Sequence, residues 1–126
     1  MRAAIISRYG GPDQIEIRND VPEPSVSEHQ VLVRVCAAGL NPLDLRTRAG
    51  DLRWFRGDVL PFIPGNDASG VVVRCGSAVT RFREGDEVYG MFDPGERLSW
   101  ARFTRSGACA EYAVTREDTL ALKPSS

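Results

Sequence analysis

A chain of 126 residues is long enough for one domain with a real core and too short for two of ordinary size, so residues 1–126 are read as a single domain. Lys and Arg number 16 and Asp and Glu 17, a balance that gives no electrostatic reason to expect nucleic acid or an anionic membrane as partner. No apolar run approaches a membrane span, and Met1-Arg-Ala-Ala-Ile-Ile-Ser7 reads as a first strand rather than a signal peptide, which makes cytoplasmic residence the expectation.

In chain order, Ala3 to Ser7 is the first predicted strand, and Gly10-Gly-Pro-Asp13 turns the chain. Gln14 to Arg18 alternates, with Ile15 and Ile17 on one face. Pro22 and Pro24 lack donors for a sheet ladder, so the segment around them is a loop. Val31, Val33 and Val35 alternate with Leu32, Arg34 and Cys36, the pattern of a half-buried strand. Pro42 to Ala49 is the one clear helix, with Asn41 as N-cap type, Pro42 at its first position and Gly50 at its stop.

Val71 to Val73 is β-branched and continuous, which predicts a central strand. The turn Glu84-Gly-Asp86 leads into a strand from Val88 to Phe92. Pro94 to Gly107 lacks periodicity and reads as a long loop. Ala108 to Val114 and Thr119 to Leu122 complete the strands. The fold class is mainly β, a small barrel or sandwich.

Cys36, Cys75 and Cys109 are isolated and odd in number, so packed, reduced thiols are expected rather than a disulfide framework. Scattered cysteines and the single His29 offer no closed metal-ligand set. A set of Cys, His29 and carboxylate exists on paper, but Ser27-Glu-His-Gln30 reads as a polar turn before a strand, and no metal is expected. No G-x-G-x-x-G and no P-loop motif occurs. Gly65 and Gly70 are expected to permit tight backbone geometry rather than to bind phosphate.

Several stretches, weak singly, are specific as an ordered series. They are Val31-Leu-Val-Arg-Val35, Gly39-Leu-Asn-Pro-Leu-Asp44, Arg48-Ala-Gly50 and Pro64-Gly-Asn-Asp-Ala-Ser-Gly70, then Gly85-Asp-Glu-Val-Tyr-Gly90, Ala110-Glu-Tyr-Ala-Val114 and Leu120-Ala-Leu-Lys-Pro124. The series resembles the N-terminal, GroES-like domain of the zinc-independent medium-chain dehydrogenase/reductases, with the NADPH-dependent quinone and enone oxidoreductases as the nearest look. The resemblance implies a partly open β-barrel with one or two short helices, lining the substrate side of a catalytic cleft. It also implies NADPH as cofactor, whose Rossmann-type binding domain has no motif in this chain.

Where zinc-dependent relatives carry a cysteine, this chain has Asn41, and their His-Glu pair reads Asn66-Asp67. By the same resemblance Asn41 and Asp44 lie by the nicotinamide end of NADPH, with Arg46 in a place that is often basic. Hydride transfer to an enone or quinone builds negative charge on oxygen, which an Asn amide or Arg guanidinium can stabilise. Asp44 would orient Arg46 or a ribose hydroxyl. Read without the resemblance, Asn41 caps a helix and Asp44 pairs with Arg48 four residues on. An Arg at position 46 is a poor proton donor, which argues against general-acid work there. Trp54, Phe55, Phe62 and Ile63 read as an apolar cluster, either core or an aromatic wall for a planar substrate.

The implied partner is a small apolar carbonyl compound or quinone, with a homodimer or a separate cofactor domain as protein partner. Three forms remain open: part of such a reductase, one subunit of a split enzyme, or a free-standing cofactor-free barrel that binds or cyclises a small apolar, polyketide-like molecule.

Overall fold

A computed structural model describes residues 1–92 and 105–125. The strands are β1 (Ala3–Ile6), β2 (Ile15–Arg18), β3 (Gln30–Gly39), β4 (Phe62–Ile63), β5 (Asp67–Cys75), β6 (Glu87–Met91), β7 (Arg105–Ser106), β8 (Tyr112–Arg116) and β9 (Leu120–Leu122). Two short helices, α1 (Pro42–Ala49) and α2 (Arg53–Arg56), lie between β3 and β4. The architecture is mainly β, in two sheets ordered β2-β1-β4-β7 and β8-β3-β5-β6-β9. A bridge between Ala3 and Ala110 touches the two halves together without closing a full barrel. The expected mainly β fold, a partly open barrel with few helices, is therefore the one observed.

The strand pattern around Val31 builds the core. β3 lies between β8 and β5, antiparallel to both, and the β3–β5 ladder runs from Val31 opposite Cys75 to Gly39 opposite Asp67. Val31 and Val33 pack with Val72, Val88, Phe92, Ala113 and Leu120 in the larger apolar cluster. Each fully buried side chain of this size contributes about 1.5–3 kcal/mol of transfer free energy. Leu32, on the other face, is 1% exposed. The half-buried alternation expected there holds from Val33 to Cys36, with Arg34 and Cys36 exposed, and gives way to burial on both faces only in the first four residues of the strand.

Beyond Val35 the ladder slips at an irregularity between Val35 and Ala37, and the rest of β3 is exposed. Cys36 stands at this slip and is exposed, which corrects the expectation of three packed thiols. Cys75 and Cys109 are partly covered, and burial, as the leading cause, pushes both thiols up. Iodoacetamide at mildly alkaline pH is therefore expected to label Cys36 first, because the thiolate is the nucleophile and must be reachable. Peptide mass spectrometry finding Cys109 labelled first would contradict this.

Other boundaries moved for identifiable reasons. Ile15 and Ile17 are 38% and 67% exposed, because β2 is an edge strand with both faces uncovered in this chain. The predicted strand from Ala108 begins at Tyr112 instead. Gly107, Ala108 and Cys109 donate their backbone N–H groups to Ile63, Gly65 and Pro64, so a turn satisfies them and no ladder is needed. Of the predicted loop from Pro94 to Gly107, residues 94–104 lie outside the described residues, and Arg105–Ser106 is β7, parallel to β4. Among the described residues no helix is long and apolar enough to cross a membrane.

Candidate functional site

The helix signals at Asn41, Pro42 and Gly50 place α1 where the sequence predicts it, and Gly50 ends it in the left-handed conformation. Its first turn is fixed by Asp44. The Asn41 N–H donates to Asp44 Oδ2 at 2.8 Å, and the Gly65 N–H donates to Asp44 Oδ1 at 2.9 Å. Asp44 is 6% exposed. A carboxylate at that depth is tolerable because charged acceptors make strong hydrogen bonds and the helix N-terminus favours negative charge. The predicted Asp44–Arg48 surface pair does not form, since Asp44 is turned inward and Arg48 donates from Nε to the Gly10 carbonyl at 3.2 Å.

Asp44 is also in no position to orient Arg46. Residues two apart on a helix lie about 200° apart around its axis, and Arg46 is exposed while Asp44 is buried. Neither of Asp44's oxygens is idle: both accept from backbone.

The Pro64–Gly65 turn is held by the same carboxylate. Gly65 has φ +98°, and a Cβ there would meet Cys109 Sγ at 2.9 Å, so only glycine fits. Gly70 is required by close approach instead: a Cβ would lie 2.2 Å from the Arg34 carbonyl oxygen of β3. Burial and then the Asp44 charge raise the Cys109 pKa.

Two residues past Gly65, Asp67 opens β5. Its Oδ2 accepts a hydrogen bond from the Asn41 side-chain Nδ2. Asn41, Asp44, Gly65 and Asp67 thus form one connected cluster, tying the end of β3 and the start of α1 to the start of β5. Asp67 was not singled out as a site residue, although its motif was. The signal that could have found it is its place just after the Pro64–Gly65 turn, beside Asn41 once β3 and β5 pair.

Asp67 stands on the outward face of the five-stranded sheet. Gly39 and Met91 flank it across the ladder, and Ala37, Ser69, Tyr89 and Ala121 form the next row. Tyr89 and Met91 are 46% and 49% exposed, and Leu40 beside Asn41 is exposed as well. A polar pair bordered by exposed apolar side chains can accept a carbonyl compound at its edge.

The expected apolar cluster of Trp54, Phe55, Phe62 and Ile63 is not one cluster. Phe62 and Ile63 are each 3% exposed, buried in β4, where Phe62 stands opposite Ile6 and Ile63 packs on Ala3, Ile5 and Val21. Buried to that degree, they have no surface to offer a substrate in this chain. Trp54 and Phe55 are exposed on α2, their rings 5.8 Å apart. A four-residue helix is too short to bury two aromatic rings. Tyr9 ties down the loop that carries them: its hydroxyl donates to Asp58 at 2.7 Å and accepts from the Val59 N–H at 3.0 Å, with the Arg53 guanidinium over its ring. Burial, as the largest cause, raises the Tyr9 pKa. Tyr9, Thr47, Leu52, Arg53, Gly57 and Val59 line a shallow recess.

Comparisons with known proteins agree with this geometry. The family model described as the alcohol dehydrogenase GroES-like domain matches residues 27–125. The chain is 41% identical over 124 residues to a chloroplastic NADPH-dependent alkenal/one oxidoreductase of Arabidopsis thaliana, covering 98% of this chain and 31% of that protein. It is 34% identical over 120 residues to the quinone oxidoreductase of Homo sapiens, covering 95% of this chain and 32% of that one. Among solved structures, the quinone oxidoreductase from Coxiella burnetii superposes with a TM-score of 0.78 at 30% identity, over 99% of this chain and 37% of that one. An alcohol dehydrogenase superfamily protein from Novosphingobium aromaticivorans gives 0.81 at 34% identity, over 100% and 35%. The chain spans about a third of the length of these relatives. Most of its length fits the family model and its sheets superpose on those of such proteins, so the chain belongs to the alcohol dehydrogenase GroES-like domain family, related to quinone and alkenal oxidoreductases.

Proposed function

We propose that this chain is the substrate-side domain of an NADPH-dependent quinone or enone oxidoreductase, zinc-independent and cytoplasmic, working with a cofactor domain on the same or a second chain. The observation that carries the reading is the Asn41–Asp67 pair on the exposed sheet face, with a buried Asp44 fixing the backbone behind it. When bound, NADPH would supply the hydride.

The residues here fit the carbonyl end of that reaction and not the phosphates. The N-terminus of α1 is occupied by the Asp44 carboxylate, which would repel a pyrophosphate. Asn41 has one amide hydrogen left after its bond to Asp67, available to the substrate oxygen. Leu40, Tyr89 and Met91 would exclude water on the apolar side. Arg46, exposed on α1, would add positive charge without donating a proton.

Among the described residues no three His, Cys, Asp or Glu side chains gather into a metal-holding group. The cofactor-free barrel reading would need a pocket, and the recess near Tyr9 is a shallow one that encloses no water-sized space. The test is an assay of the full-length gene product with NADPH and, in turn, a 2-alkenal, a benzoquinone and a saturated ketone. Consumption of NADPH with the conjugated acceptors, insensitive to chelator, is expected. Zinc-dependent oxidation of alcohols, or no turnover at all, would overturn the proposal.

A further inference from the structure

We propose that Asp67 is a positioning residue for the reaction, selecting which end of the Asn41 amide faces the substrate. The inference rests on the proposed role of Asn41 as hydrogen-bond donor to the substrate carbonyl.

An Asn side chain carries a two-hydrogen donor on one side and an acceptor oxygen on the other, and the two have nearly the same shape. Left alone on an exposed face, it presents either. An ionised carboxylate only accepts, so its neighbour must turn the NH₂ group toward it. Asp67 does this to Asn41. One amide hydrogen is then spent on Asp67, and the other projects from the same nitrogen. The wrong flip would face a carbonyl oxygen with another carbonyl oxygen and repel the charge that builds there.

Both partners are held by the fold. The Asn41 backbone is extended at φ −115° and ψ 160°, its N–H bonded to Asp44 Oδ2 and its carbonyl accepting from the Asp44 N–H at 2.9 Å. Asp67 is laddered on both sides, to Gly39 and Met91. The Asn41 amide oxygen faces the Asp44 backbone N–H as in a capping box without completing a hydrogen bond, so the Asp67 carboxylate supplies the stronger of two biases on the amide torsion, both toward the same flip. The pair is exposed in this chain, so its orienting effect strengthens when a bound substrate displaces water from the face.

The test is Asp67→Asn, which keeps size and shape but can face Asn41 with either group and so loses the selection. In the full-length gene product, assayed with NADPH and a 2-alkenal, kcat is expected to fall about tenfold with KM little changed, the scale of one misplaced hydrogen bond. Asn41→Ala should fall further, and the double variant should match Asn41→Ala alone, because Asp67 acts through Asn41. A merely structural role would instead lower stability and add to the loss in the double variant. Independently of turnover, the Asn41 side-chain NH₂ resonances of this chain should move and exchange faster with water in Asp67→Asn. Unmoved resonances, or full turnover in Asp67→Asn while Asn41→Ala is crippled, overturn this inference and leave the reaction standing. Full turnover in Asn41→Ala overturns the donor role of Asn41 and this inference with it.

Discussion

Asp44→Ala is expected to lower the unfolding free energy of this chain by about 3 kcal/mol, since hydrogen bonds to a charged group are worth roughly 1.5–3 kcal/mol each and the loss strands their donors. The donors are the N–H groups of Asn41 and Gly65. The Gly65 bond is buried and the Asn41 bond part-buried, so solvent replaces the carboxylate poorly. The substitution also removes a negative charge from the N-terminus of α1. Asp44→Asn keeps one acceptor oxygen and turns an NH₂ group toward the other donor, so its loss should be intermediate. Urea titration checks both, with the slope unchanged if only stability has shifted. A loss below about 1 kcal/mol for Asp44→Ala, the size expected of an exposed cap, would contradict the burial and bonding described.

Asn41→Ala should act the other way round, cutting turnover while sparing the fold. Removing one donor aimed at a developing oxyanion typically costs about 10² in kcat, and that is the expected loss in the full-length gene product. The Asn41 backbone bonds to Asp44 do not need the side chain, so the stability loss should be that of one N-cap, about 1 kcal/mol, and far too small to account for the lost turnover. A large loss of stability with unchanged turnover would make Asn41 a structural residue only.

The two substitutions separate what the sequence could and could not show. α1 was legible because its ends are marked by Asn41, Pro42 and Gly50, whose preferences are local. β3 was legible in kind, since alternating valines fit a pleated surface, but not in the burial of Leu32 on its other face, which no local pattern marks. The burial of Asp44 was not legible. Its bond to Gly65 joins residues 21 apart, and nothing local says that an acidic residue in a first helical turn faces inward. Trp54 and Phe55 misled for the related reason that aromatic character predicts burial only when a neighbour can cover the ring. Phe62 and Ile63 found one in β1 and the residues near it, and the α2 pair did not. For the site, Asn41 came from a resemblance in motif, while Asp67 needed the β3–β5 register to bring it alongside.

The crystal structure of the full-length gene product with NADPH and a slowly reacting enone tests the central claim most directly. The account predicts the enone carbonyl oxygen within hydrogen-bond reach of Asn41 Nδ2, about 3 Å, with Asp67 on the other amide hydrogen and the enone's apolar body against Leu40, Tyr89 and Met91. An enone bound elsewhere, or one whose carbonyl faces away from an Asn41 that keeps only its bond to Asp67, would contradict it.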